Sequence, residues 1–204
     1  MTRLSCITVL FLTALLVFGG CTRTTSEKAA DVNDQAPQFT LNSYDDTTVD
    51  LSQFREKIVV LEWFNYECPF VKYHYEQKKT MIELADKFSK HEVVWLAVNS
   101  TSHAAVEETR RFAADHKITY PILDDRTGRV GRAYGAVATP HMFIIDHNGI
   151  IVYSGAIDNA PLGETAQPYV NYVDKALMEL TAGGKVGIPK TKPYGCSVKY
   201  AQTN

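Results

Sequence analysis

Apolar residues along the chain gather in short unbroken runs, and amphipathic stretches lie between them. Ile58 to Phe64 is apolar except for Glu62, and such runs belong in the middle of a sheet covered on both faces. Val93 to Val98 repeats the pattern, and shorter strands are expected at Tyr120 to Leu123, His141 to Asp146 and Ile150 to Tyr153. Met81, Leu84, Ala85 and Phe88 fall on one stripe, which predicts a single helix from Pro69 to Lys90. A second helix is expected from Ser102 to His116, with Glu107, Glu108, Arg110 and Arg111 on its wet side. A small one follows around Val130 to Tyr134, and a last one, Gln167 to Thr181, buries Val170, Val173, Leu177 and Leu180. Gln38 to Leu41 and Thr48 to Leu51 read as a hairpin ahead of the main sheet, and Asn148-Gly149 predicts a two-residue type I′ turn. Strand, helix, strand, helix implies parallel pairing at the centre of an α/β fold. Beyond Gly183-Gly184 runs a tail with Pro189, Pro193 and Cys196.

Composition narrows the class. With 204 residues and 45% of them hydrophobic, the chain can close one domain around a full core. A net charge of -2 and the lack of a Lys/Arg block exclude nucleic acid, whose phosphates demand a basic surface. Arg3, the apolar run Ile7 to Phe18 and Gly19-Gly20-Cys21 form the parts of a secretory signal over residues 1–20, too short to span a bilayer. A Cys after two small residues resembles the lipobox of bacterial lipoproteins, although Phe18 stands where that motif usually has Leu. The resemblance implies that Cys21 carries a lipid and that residues 21–35, polar and turn-rich, tether the domain to an envelope membrane facing the periplasm or the outside. Cleavage without lipid is the alternative. Cys6 would leave with the signal, so Cys68 and Cys196 remain as thiols, enough for one intramolecular disulfide.

Cys68 stands where the first central strand should turn into a helix beginning at Pro69. Proline fits the first helical position because its missing N–H would be unpaired there anyway, which leaves Cys68 as the N-cap. Free backbone N–H groups and the positive end of a helix favour thiolate over thiol, and the thiolate is the nucleophile. A buried structural Cys is the competing reading. Glu62, on an apolar strand, should have its pKa raised by desolvation, unless it pairs with Lys57 or Lys72. Of the aromatic residues around Cys68, Tyr66 and Phe70 are the ones expected at the surface.

The order of these features, with a redox Cys after the first central strand and Thr139-Pro140 before an antiparallel hairpin, resembles the thioredoxin fold. More narrowly it resembles the redoxin branch that includes alkyl hydroperoxide reductases, thiol-specific antioxidant proteins and extracytoplasmic thiol-disulfide oxidoreductases. Ala36-Pro37-Gln38-Phe39, Val49 to Ser52 and Ile145 to Gly149 carry the likeness, which runs from about Ala36 to Leu180. It implies a three-layer α/β/α sandwich with a mixed central sheet and an N-terminal β-hairpin, a redoxin domain over residues 36–182, and a tail over 183–204. It further implies a cis Pro140, with the backbone of Thr139 offered to a thiol substrate, and Glu62 as the buried acid that relays protons to the resolving thiol. Two departures stand out. Val71 replaces the second Cys of Cys-x-x-Cys, and Leu61 and Asn65 replace the Pro and Thr that precede a peroxidatic Cys. Cys-Pro-Phe-Val-Lys followed far downstream by Gly-Cys-Ser-Val-Lys resembles a little-characterised group of redoxin-domain proteins, which implies that Cys196 resolves Cys68.

Three functions are therefore weighed. The first is an extracytoplasmic thiol oxidoreductase without cofactor, in which Cys68, assisted by Cys196, Glu62 and Pro140, attacks a protein disulfide or a small peroxide. Tyr66, Pro69, Phe70 and Thr139 would hold the substrate, and a separate reductant would reset the pair. The alternatives are a copper-handling domain using Cys68, Cys196 and His141, and a disulfide that merely pins the tail.

Overall fold

The computed structural model describes residues 28–165 and 167–202. The signal segment and Cys21 lie outside them. Five strands form the central sheet in the order β5-β4-β3-β7-β8: β3 (Ile58–Trp63), β4 (Val93–Asn99), β5 (Ile122–Asp124), β7 (His141–Ile145) and β8 (Ile151–Gly155). β3, β4 and β5 run parallel, while β7 and β8 join antiparallel, giving the mixed sheet expected of a thioredoxin-like fold. The N-terminal hairpin pairs β1 (Thr40–Asn42) with β2 (Thr48–Asp50).

The two-residue period of β3 divides the core. Val59, Leu61 and Trp63 face one layer with Leu96, Val98, Phe143 and Tyr134, whereas Val60 and Phe64 face the other with Tyr75, Met81, Phe112 and Leu177. Helices α2 (Thr80–Phe88), α3 (Val106–Asp115) and α5 (Tyr172–Thr181) cover the second face, and α4 (Arg129–Tyr134) with the N-terminal segment covers the first. Among the described residues no helix is long and apolar enough to cross a membrane.

Several expected elements are corrected. The helix expected from Pro69 to Lys90 is three pieces: α1 (Pro69–Lys72), a π-helical turn over Tyr73–Gln77, and α2, which starts after Lys79 in the left-handed conformation. The π turn buries three consecutive residues, Tyr73, His74 and Tyr75, which a regular helix with one apolar stripe could not do. The second helix begins at Val106 rather than Ser102, and the last at Tyr172 rather than Gln167, where the Asn171 side chain accepts from the Asp174 N–H as an N-cap. The turn at Asn148-Gly149 is not type I′, since only Gly149 has positive φ. The Asp146 carboxylate accepts from the N–H groups of Asn148 and Ile150, and the register shifts at Ile145, so the extra residue is absorbed as a bulge.

Both ends of the described chain lie on this domain. Ala30 and Asn33, in the expected tether, donate backbone hydrogen bonds to Ala133 and Ile151, and Asp31 pairs with Lys190. The tail is equally well placed: Thr191 donates its backbone N–H to Ser154, and β9 (Cys196–Ser197) pairs antiparallel with β6 (Ala138–Thr139).

Candidate active site

Cys68 caps α1 in an extended conformation, with Pro69 at the first helical position. β3 delivers it to the rim of the sheet, opposite the start of β7, where the Thr139–Pro140 peptide bond is cis. The thiol is only 2% exposed and donates to the Thr139 carbonyl at 2.9 Å. Cys196 occupies the position opposite Thr139 in the β6–β9 pair, the residue whose carbonyl accepts from the Cys68 thiol, and it packs against the core cluster that contains Cys68. Gly195, at φ +119°, makes this approach possible, because a Cβ there would collide with the Thr139 carbonyl.

The two thiols are electrostatically unequal. Burial pushes Cys68 up, but the Thr139 hydroxyl, the Cys196 thiol and the backbone N–H groups of Val71 and Cys196, all donors toward the sulfur, outweigh it and hold the thiol below its ordinary value. Burial, the hydrogen bond to Cys68 and the charge on Cys68 push Cys196 up to about 11. Ionisation is thus concentrated on Cys68, while the half-buried Cys196 keeps its proton.

Glu62 is fully buried on the same face of β3 as Phe64, and its pairing with Lys57 or Lys72 is not what the structure holds. Its carboxyl accepts from the Tyr75 hydroxyl at 2.9 and 3.0 Å and from the Trp95 indole N–H at 3.0 Å. Tyr75 and Tyr120 share a further hydrogen bond at 2.8 Å. Burial raises Glu62 to about 7 despite these neutral donors.

The remaining expected site residues are distributed unevenly. Pro69 is exposed, while Tyr66 and Phe70 are half-buried rather than open: the Tyr194 ring packs 5.8 Å from that of Phe70, and the Tyr66 hydroxyl accepts from the Ala105 N–H. Thr139 is 1% exposed, its edge taken by the chain's own Cys196 strand. Asn65, at the peroxidatic Thr position, turns its side-chain oxygen to the Glu67 N–H. His141 faces away from the thiols: Nδ1 accepts from the Val137 N–H and Nε2 meets the Ser154 hydroxyl, and burial lowers its pKa to about 4. Among the described residues no three His, Cys, Asp or Glu side chains converge as metal ligands, so the copper set of Cys68, Cys196 and His141 is not assembled.

Sequence reasoning does not find Tyr75, Trp95 and Tyr120 around Glu62, or the bonding of His74 and Tyr194 beside the tail. A buried acid in an apolar strand requires donors, and the interrupted aromatic pattern of Tyr73 to Tyr75 was the signal for the first set.

Comparison with known proteins identifies the family and the fold. A model described as the AhpC/TSA family matches residues 32–154. Thiol-disulfide oxidoreductase ResA of Geobacillus thermodenitrificans is 32% identical over 125 residues, covering 61% of this chain and 69% of that protein. The putative peroxiredoxin ycf42 of Porphyra purpurea is 30% identical over 151 residues, covering 67% of this chain and 73% of that one. A crystal structure of an uncharacterized conserved protein from Geobacillus kaustophilus superposes with a TM-score of 0.77 at 26% identity, over 85% of this chain and 94% of that one.

Proposed function

Because the chain belongs to the AhpC/TSA family of redoxin enzymes, we propose that it is a thiol-disulfide oxidoreductase of the bacterial envelope, held to a membrane through lipidated Cys21, that cycles between a Cys68/Cys196 dithiol and the corresponding disulfide. The observation that supports this reading is the β6–β9 pairing, which sets Cys196 opposite Thr139, the residue before cis Pro140 whose carbonyl accepts from the Cys68 thiol.

In the forward direction the Cys68 thiolate attacks one sulfur of a partner disulfide, forming a mixed disulfide and releasing the other partner sulfur as thiolate. Cys196 then gives up its proton and attacks the Cys68 sulfur, releasing the partner's second thiolate. Two electrons have passed to the partner, and an external dithiol restores the pair. Glu62 is the group we assign to take the proton, a role supported by its titration near neutrality. Pro69, Tyr66 and Phe70 form the rim of Cys68 against which a partner would rest.

A peroxide substrate is the second reading. The Cys68 thiolate would take one oxygen to become a sulfenic acid, and Cys196 would displace it as water to give the same disulfide. The near-complete burial of Cys68 favours a small oxidant, while Leu61 and Asn65, in place of the peroxide-orienting Pro and Thr, weigh against one.

A redox titration of the domain, beside Cys196→Ser, with thiols trapped and weighed by mass spectrometry, tests the proposal. A reversible Cys68–Cys196 bond in the range of exchange catalysts is expected. A bond that resists reduction would make the tail a structural staple, and no bond at all would refute the two-cysteine cycle.

A further inference from the structure

Two residues before Cys196, Tyr194 enters a buried polar cluster that the redox chemistry does not use. Its hydroxyl donates to the Asp158 carboxylate at 2.6 Å and lies 2.8 Å from His74 Nε2. A tyrosine has one proton to give, so His74 Nε2 must be the donor in the second bond. His74 Nδ1 is then the acceptor for the Thr80 hydroxyl at 3.1 Å. The result is a one-directional chain, Thr80 to His74 to Tyr194 to Asp158, that fixes a neutral His74 in one tautomer. His74 is 0% exposed and Asp158 3%. Asp158 is itself held by the Ala160 N–H and the Tyr169 hydroxyl.

What distinguishes Tyr194 is where it leads. The other anchors of the tail reach the sheet rim and its loops: Thr191 binds at Ser154, Val198 donates to Val137, Lys199 accepts from Ser102 and Tyr200 donates to Ala136. Tyr194 instead reaches the segment that carries Cys68, its ring packed at a tilt against Phe70 and its hydroxyl bonded to His74 in the π turn. That turn rotates His74 into the core toward the tail while Tyr75, its neighbour, goes to Glu62. One irregular turn therefore fixes both the acid and the tail relative to the helix of Cys68.

We propose that Tyr194, clamped between His74 and Asp158, is a positioning residue that sets the register of the tail so that Cys196 meets Cys68, and so governs closure of their disulfide. The proposal rests on the two-cysteine reading above. With the hydroxyl gone, the clamp loses both its bonds, and the only remaining ties of the tail near Cys68 are the ring contact with Phe70, which is not directional, and the two-residue β6–β9 pair.

The test compares wild type, Tyr194→Phe and Tyr200→Phe, the last removing a tail hydrogen bond that points to the Ala136 carbonyl rather than to the Cys68 segment. Each is equilibrated in glutathione buffers of defined ratio, and closure is timed after a diamide pulse. The same substitutions in a background with Cys68→Ser and Cys196→Ser report folding alone, through the melting temperature. Tyr194→Phe is expected to lower the equilibrium constant for closure at least tenfold, about 30 mV for a two-electron couple, and to slow closure in proportion. Tyr200→Phe should stay within twofold of wild type. Closure by Tyr194→Phe within twofold of wild type overturns the proposal, as does an equal loss in Tyr200→Phe, which would mean a general loosening of the tail. Wild type that never closes refutes the two-cysteine reading and this one with it.

Discussion

Replacing Glu62 with Gln should remove a pH dependence of stability that the wild-type fold carries. The buried carboxyl titrates near 7 in the folded state against 4.5 when unfolded, so between these values the folded state binds more protons. Unfolding then becomes easier as pH rises through that window, and the loss levels off above about 7. The interval corresponds to about 3 kcal/mol at 1.36 kcal/mol per unit. Glutamine keeps the shape and an acceptor oxygen, yet its amide nitrogen must lie near a donor, either the Trp95 indole or the Tyr75 hydroxyl. That mismatch costs about 1–3 kcal/mol at every pH. Urea denaturation of both proteins, in the background with Cys68→Ser and Cys196→Ser, should show Glu62→Gln weaker than wild type near pH 4.5. By pH 8 the gap should have closed by about 3 kcal/mol, leaving the variant equal or more stable. Other titrating groups cancel in the difference. Parallel curves across the whole range would refute the argument that desolvation outweighs the hydrogen bonds from Trp95 and Tyr75.

The lowered Cys68 pKa predicts that iodoacetamide modifies it below the pH at which an ordinary thiol reacts, and Cys196→Ala should shift that pH profile upward, since the side-chain donor facing the thiolate is then gone. An unmoved profile would mean that Cys196 contributes nothing to the stabilisation. Gly195→Ala forces a side chain into the Thr139 carbonyl at a φ of +119°, so the β6–β9 pair should open and the tail should become cleavable by trypsin at Lys190 or Lys199 in the folded protein. Persistent protection would show that the strand pair tolerates the change. Cys21→Ser, expressed in a bacterial host, should move the protein from the membrane to the soluble envelope fraction and abolish incorporation of labelled fatty acid; retention on the membrane would rule out the lipid anchor.

The central features were legible because each is dictated locally. An apolar run with a two-residue period places Glu62 opposite Leu61 and Trp63, and a Cys-Pro pair after it can hardly be anything but a helix start. The break between α1 and α2 was hidden because Met81, Leu84 and Phe88 share a stripe whichever way the preceding turn winds. Tyr73, His74 and Tyr75 are buried together only through a π turn, whose reward lies in partners far along the chain, Glu62 and Tyr194. Asn148-Gly149 misled for a comparable reason: the Asp146 carboxylate captures the turn and sets its type, overriding the dipeptide preference. The tail's course is a sum of tertiary bonds at Thr191, Tyr194 and Tyr200, and periodicity has nothing to say about such bonds.

The strand carried by Cys196 also acts as a resident competitor. A segment tied to the domain through the short stretch after Thr181 meets the Thr139 edge at an effective concentration on the order of millimolar. An outside polypeptide present at micromolar levels, with the same intrinsic affinity for that edge, would hold it about one time in a thousand. Access is thereby rationed by affinity rather than by encounter. Unselected thiols of a crowded compartment are kept off the reactive sulfur, and only a partner whose own contacts far exceed those of a plain extended strand can displace the tail.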